Sequence, residues 1–302
     1  MNILVVGSVG LDTVKTPFGR VEDALGGSAI YAAFSASFFE SVGICAVIGE
    51  DFPKEYVELL EDKEIDIAGL IKLSGETFRW KGEYTYELNE AITLETSLNV
   101  MTEFNPVLSE EQKDAGFLFL ANIDPVLQLK VLEQMKSPEL VLCDTMNYWI
   151  EKRYSELTEV VKRVDIMVLN DAEAREFTRE PNLIKAGQNI LEMGPERVVI
   201  KKGEHGAIMF SRDNIFFAPA YPLENIFDPT GAGDTFAGAF LGYLADVHGK
   251  AEEEYRRGVI FGSCLASFVV EEFSLNRLKK LRWDEIRERY YQFKELTHFE
   301  VR

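Results

Sequence analysis

The segment DPTGAGDTFAGAFLGYL, residues 228–244, brackets a Gly-Ala-Gly turn with two acids and runs straight into an apolar helix. Carboxylates are costly to desolvate, so acids beside a helix built for burial need a reason to be there. Asp228, Pro229 and Thr230 form an extended approach, because the residue before a proline is pushed out of the helical region. Gly231, Ala232 and Gly233 then allow the backbone to come close to a ligand. The N–H groups that open the following helix lack helical partners and aim into the turn. With the helix dipole added, the turn is a cradle for phosphate oxygens. Asp234 closes it, where an incoming phosphoryl group would meet a hydroxyl whose proton a carboxylate can accept. The dipole is expected to keep Asp234 ionised, and hence a weak base in the ground state. The plainer alternative is an aspartate that only caps its helix. That alternative leaves unexplained the glycines flanking Ala232 and the small-residue face Ala237, Gly238, Ala239 and Gly242.

Such a turn has to be held by a rigid frame. Short apolar runs recur at 3–7, 44–49, 117–122, 140–144, 165–170 and 197–203, separated by helical periodicity at 28–40, 53–62, 125–135, 156–163 and 182–193. Nearly continuous apolar strands alternating with helices predict a mostly parallel sheet covered on both faces, a three-layer α/β/α core. Residues 214–226 add one or two short strands, and helices are expected at 232–247, 251–270 and 283–292. Two segments, 11–24 and 70–100, instead alternate polar residues with Thr, Tyr, Phe and Trp and carry turn glycines. We read them as hairpins that leave the main sheet and pair into a small β-sheet lid, an edge extension of the core sheet being the alternative. The core then comprises 1–10, 25–69 and 101–302. Within the lid, alternation puts Phe78, Trp80, Tyr84 and Tyr86 on one side and Arg79 on the other, unless Gly82 changes the register. Asn122 and Asp124 follow a core strand, at the edge where open α/β sheets bind ligands, as more weakly do Asp144 and Asn147.

Composition closes off several function classes. The 302 residues carry 32 Lys and Arg against 51 Asp and Glu, a formal charge of −19. That excess argues against a groove for nucleic acid and against an anionic membrane surface. No apolar run is long enough to span a bilayer, and the start, MNILVVGSVG, reads as a first strand. Cys45, Cys143 and Cys264 lie in apolar segments and are read as reduced core thiols of a cytoplasmic protein. His205, His248 and His298 have no ligand spacing, so no zinc site is expected.

DPTGAGDTFAGAF closely resembles the C-terminal signature of the ribokinase-like, or pfkB, carbohydrate kinases, and GGSAIYAAFSAS at 26–37 resembles their N-terminal glycine motif. The order of elements and the place of the lid agree, so the resemblance spans essentially the whole chain. It implies Asp234 as catalytic base and Gly231, Ala232 and Gly233 as anion hole. Asp228 would belong to a loop that in some members holds a monovalent cation, so potassium joins the implied cofactors, ATP and magnesium. Asp12 matches the acid that contacts substrate hydroxyls, and Gly26 and Gly27 would bring backbone against the substrate. The family's Asn-x-x-Glu motif appears as Asn170 to Glu173, with Glu173 reaching magnesium through water. KKGEHG at 201–206 resembles the nucleotide-side strand and turn, which puts Lys201, Gly203, Gly206 and Thr230 on the nucleotide. Tyr31 stands where many sugar kinases of the family carry asparagine, exchanging a hydrogen-bonding amide for an aromatic face, a plain core residue being the alternative. Tyr31, Arg79, Asn122 and Asp124 complete the expected substrate side.

The implied reaction moves the γ-phosphoryl group of ATP to a hydroxyl, expected to be a hydroxymethyl, of a sugar or sugar-like small molecule. A nucleoside kinase of the same fold is the nearest alternative. A sugar phosphate stays open through Lys15, Arg20 and Arg79. A dinucleotide-dependent oxidoreductase lacks its G-x-G-x-x-G spacing. A retired, sugar-binding family member would be expected to have lost the base or the turn. An apolar outer face on the lid sheet would let it pair with a second copy, a homodimer through the lid.

Overall fold

A computed structural model describes residues 1–298. The strands, in chain order, are β1 (Ile3–Val6), β2 (Gly10–Thr16), β3 (Gly19–Gly26), β4 (Val42–Ile48), β5 (Asp66–Lys72), β6 (Phe78–Tyr84), β7 (Ala91–Ser97), β8 (Phe117–Leu120), β9 (Leu140–Cys143), β10 (Ile166–Asn170), β11 (Arg197–Lys201), β12 (Ala207–Phe210) and β13 (Ile215–Ala218). Nine of them make one sheet in the order β13-β12-β11-β10-β9-β8-β1-β4-β5. It is parallel from β5 to β11 and antiparallel only at the β11–β12 and β12–β13 pairs. Central strands such as β1, β8 and β9 are buried along their whole length, as strands covered on both faces must be.

Successive residues feed opposite cores. Ile3 and Val5 join the apolar layer built with the helices Ser28–Ala36, Ala232–Val247 and Glu252–Val269, whereas Leu4 and Val6 join the layer built with Pro125–Leu132, Tyr154–Val161, Asp171–Thr178 and Leu183–Met193. The helix Ala232–Val247 is buried from Thr235 to Ala245. Phe236 and Phe240 each contribute on the order of 2 kcal/mol by leaving water. Its small-residue face lets it pack on Ser28–Ala36 so closely that a Cβ at Gly238 would stand 2.2 Å from the Ala32 carbonyl oxygen.

The remaining strands form a four-stranded sheet, β3-β2-β6-β7, in which β2 and β6 run parallel. The strand Asp66–Lys72 does not belong to it. Residues 70–72, expected in the small sheet, pair instead with β4 at the edge of the large one. The reason is that β5 feeds both core layers, Leu70 on one side and Ile71 on the other. The β6–β7 register slips at Lys81/Gly82, but the extra residue is Leu94 of β7, so the alternation of β6 continues unbroken through Gly82. Phe78, Trp80, Gly82 and Tyr84 therefore share a face with Gly10, Asp12 and Val14, their neighbours on β2, and Arg79 lies on the other.

Candidate active site

The ends of β8, β9, β10 and β11 open on one edge of the large sheet, and the turn at 228–234 lies over them. Gly231 is the N-cap of its helix with φ 74, a left-handed conformation that glycine adopts without strain. A Cβ there would also fall 2.4 Å from the Tyr31 ring. Tyr31 is 2% exposed and fills the space beneath this turn. It is therefore a core residue supporting the turn and not the open stacking face expected on the substrate side. Asp234 is the third residue of the helix, so it is not the cap. The Ala232 N–H turns back to the Pro229 carbonyl at 3.2 Å and so drops out of the expected Gly231–Ala232–Gly233 anion hole, while the N–H groups of Gly231, Gly233 and the neighbouring Asp234 reach no backbone carbonyl among the described residues.

Asp234 is not held ionised by the helix terminus. Burial first and the neighbouring Asp144 second push its carboxyl up to about 7, against the opposing pull of Lys201 and its own backbone N–H. The expectation of a weak ground-state base is thus reversed. Burial, with like-charge repulsion from Asp144 added, outweighs the dipole, and the group sits near the value at which a general base works best at neutral pH.

Sequence reasoning gave Asp144 only a minor place and missed its partner. Asp144, at the end of β9, accepts a 2.8 Å bond from Lys201 Nζ at the end of β11. That ammonium also lies over the turn, 2.8 Å from where a Cβ of Gly233 would stand. Burial alone would lower the Lys201 pKa, but Asp144 and Glu173 outweigh it and raise it, so the charge persists. Glu173 is 8% exposed and locked in a capping box: it accepts the Asn170 N–H at 2.7 Å while Asn170 Oδ1 accepts the Glu173 N–H at 2.8 Å. Burial, Asp144 and Asp234 together raise its pKa. Three carboxylates thus face one ammonium. That imbalance fits a divalent cation held by carboxylate and water, as magnesium is when it accompanies phosphates. Thr145 and Thr235, next in sequence to Asp144 and Asp234, carry buried hydroxyls with no hydrogen-bond partner among the described residues.

On the far side of the turn stands Asp12, on the cleft face of the small sheet. It is 6% exposed and its carboxyl is pushed up to about 7 by burial, then by Asp228 and Asp234, while the Gly27 N–H draws it down. Gly26 touches it so closely that a Cβ there would overlap the carboxylate. Asp12, Gly26 and Gly27 are thus brought together at one corner of the cleft. Tyr84 closes the corner from β6, its hydroxyl 3.4 Å from Thr230 Oγ1. Thr230, expected on the nucleotide, has its hydroxyl directed to Tyr84.

Other expected residues turn elsewhere. Arg79 lies on the face opposite Asp12 and binds Asp23 and Asp51, each at 2.6 Å, so its charge is already matched. Asp124 caps the helix Pro125–Leu132 through the Val126 N–H, and Asn122 Oδ1 accepts from Trp149 Nε1 at 2.9 Å. Asn147 is exposed and bonds the Tyr148 N–H. Asp228 accepts from the N–H groups of Thr230 and Ser274, at 2.9 and 3.0 Å, one to each oxygen. It pins the turn to the loop at 274, a structural use that occupies it ahead of any cation. Beyond Lys201, the helical turn Gly203–His205 and Gly206 border a cavity of about 430 Å³. Gly233 and Ala232 form its inner end, and Tyr221, Phe236 and Val270 its apolar wall.

The profile of the pfkB family carbohydrate kinase matches residues 3–280. The chain belongs to this family. As a pfkB kinase it is a carbohydrate or nucleoside kinase, and kinases of the family use ATP and magnesium. It is 34% identical over 247 residues to a cytidine kinase of Thermococcus kodakarensis, covering 80% of this chain and 87% of the relative. The nucleoside kinase of Methanocaldococcus jannaschii superposes with a TM-score of 0.77 at 22% identity, over 97% of this chain and 99% of the other. A ribokinase II from E. coli solved with ATP and magnesium superposes at 0.79 and 17% identity, over 96% and 99%. No helix among the described residues is long and apolar enough to cross a membrane.

Proposed function

We propose that this pfkB kinase transfers the γ-phosphoryl group of ATP to a hydroxymethyl group of a nucleoside, with cytidine the first acceptor to test. The observation that carries the reading is a base candidate, Asp234, whose carboxyl sits near 7 beside unpartnered N–H donors and a lysine. Of the acceptor classes that the sequence left open, the nucleoside is favoured by the relative named a cytidine kinase.

In this reading Asp12 and the backbone of Gly26 and Gly27 hold ribose hydroxyls, and Asp234 takes the proton from the attacking one. The N–H groups of Gly233 and Asp234, with Lys201, stabilise charge on the transferring group. The 430 Å³ cavity takes the nucleotide. Glu173, held by Asn170, supports magnesium through water, and the ion when bound supplies positive charge to the phosphate oxygens. Closing the small sheet as a lid excludes water from the transfer. Potassium near the 228 loop is retained as an activator to be tested. The exposed edge strand β7, with Ile92 and Leu94 outward, is the surface proposed for a homodimer. The three buried free thiols fit a cytoplasmic setting.

The test is a panel of nucleosides, free sugars and sugar phosphates, scored by ADP release above the no-acceptor background. Cytidine or another nucleoside is expected to lead. A free sugar or sugar phosphate leading would overturn the acceptor class. In parallel, Asp234→Asn is expected to lower kcat by on the order of 10³ or more with ATP binding retained. Wild-type turnover in that variant would remove Asp234 from the role of base.

A further inference from the structure

The turn joining β6 to β7 has no part in the transfer chemistry, yet it reaches the donor side. Residues 86–89 leave the small sheet and line the 430 Å³ cavity opposite Gly203, Tyr221 and Phe236 of the core. The approach is close: Gly203 has φ 53, and a Cβ there would stand 2.0 Å from Asn89 Oδ1. Leu88, half-buried between exposed neighbours, lines the cavity beside Asn89. Asn89 makes no hydrogen bond within the described residues.

The chemistry of this turn selects which part of a nucleotide it can face. Glu87 and Glu90 flank Leu88 and Asn89, and the turn has no cation. Phosphates are therefore repelled from it and drawn to the other end, where Lys201 and the N–H groups of the 231–234 turn lie. What suits the acidic turn is an uncharged body with an apolar face and hydrogen-bonding edges. Leu88 offers the face and the Asn89 amide offers both donor and acceptor.

We propose that residues 86–89 form a specificity-determining wall for the phosphoryl donor. Leu88 packs on the base or ribose of a nucleoside triphosphate, and Asn89 hydrogen-bonds its edge. The donor site is then complete only when the small sheet is closed on the core. This rests on the reading of the cavity as the nucleotide site.

The experiment titrates ADP and inorganic tripolyphosphate into wild type, Leu88→Gly and Leu88→Glu by calorimetry, without acceptor. Thermal melting of each variant checks that it is folded. For Leu88→Gly the dissociation constant of ADP is expected to rise about ten-fold and that of tripolyphosphate to stay within about two-fold. Leu88→Glu, which adds a third acid, is expected to weaken ADP further. An ADP affinity unchanged in both variants would overturn the proposal. So would an equal loss for ADP and tripolyphosphate, the sign of a merely loosened fold. If instead wild type binds neither ligand, or the two do not compete, the nucleotide-site reading itself fails.

Discussion

Replacing Asp12 by asparagine separates what the cleft needs for stability from what it needs for function. In the folded chain the Asp12 carboxyl is pushed from its ordinary 3.8 to about 7 by burial and by Asp228 and Asp234. A raised carboxyl favours the protonated form, so folding is unhindered below pH 3.8, where both states carry the proton. The cost then grows as the unfolded chain ionises first, and reaches its full value once pH passes the folded-state value near 7. At about 1.4 kcal/mol per pH unit the full cost is about 4 kcal/mol, of which somewhat more than half develops between pH 5 and pH 8. Asparagine keeps an oxygen for the Gly27 N–H and does not ionise. The stability of Asp12→Asn relative to wild type is therefore expected to improve by about 2 to 3 kcal/mol from pH 5 to pH 8. Urea denaturation of the ligand-free protein at the two pH values measures it. The same variant is expected to bind the acceptor more weakly, for want of the charge that holds hydroxyls. A difference between variant and wild type that does not change with pH would refute the electrostatic argument, whatever the variant did to activity.

Three further outcomes follow from the same geometry. Because Asp234 must be ionised to take a proton, kcat/KM for the acceptor is expected to rise with pH and level off above about 7; a profile flat from pH 5 to pH 8 would contradict it. Gly231→Ala places a methyl against the Tyr31 ring at positive φ, so a loss of about 2 to 4 kcal/mol in unfolding free energy and a fall of about 100-fold in kcat are expected, read by denaturation and steady-state kinetics. Lys201→Met strands the buried Asp144 carboxylate and is expected to cost about 3 kcal/mol, with Lys201→Met/Asp144→Asn recovering part of it in thermal melts; no recovery would mean that the pair is not coupled.

How far the sequence reaches depends on the range of the interaction concerned. The helix Ala232–Val247 is legible to the residue, because Pro229 and the glycines punctuate its start and one continuous small and apolar face marks its length. The core strands are legible too, since strands buried on both faces leave unbroken apolar runs. The strand Asp66–Lys72 is not, because its mixed pattern suits an edge of either sheet and only the match of Leu70 and Ile71 to the two cores decides. Arg79 was legible through alternation, which already put it opposite Trp80, and the attraction of a free cation in a cleft misled. The Asp144–Lys201 pair and the raised Asp234 carboxyl were out of reach, because they depend on strand ends that meet only when the sheet is assembled. Their one local signal was a charged residue at the end of an apolar run.

The division of the cleft between two sheets gives the empty molecule a built-in electrostatic spring. Asp12 rides on the small sheet, while Asp228 and Asp234, the charges that oppose it, are anchored to the helical side. In alkaline solution an unfilled cleft would have its two jaws pressed apart by their own carboxylates, and any occupant that donates hydrogen bonds to Asp12 or brings a cation near Asp234 would relax that force. Seating the cargo and drawing the jaws together would then be one event, and so would letting go.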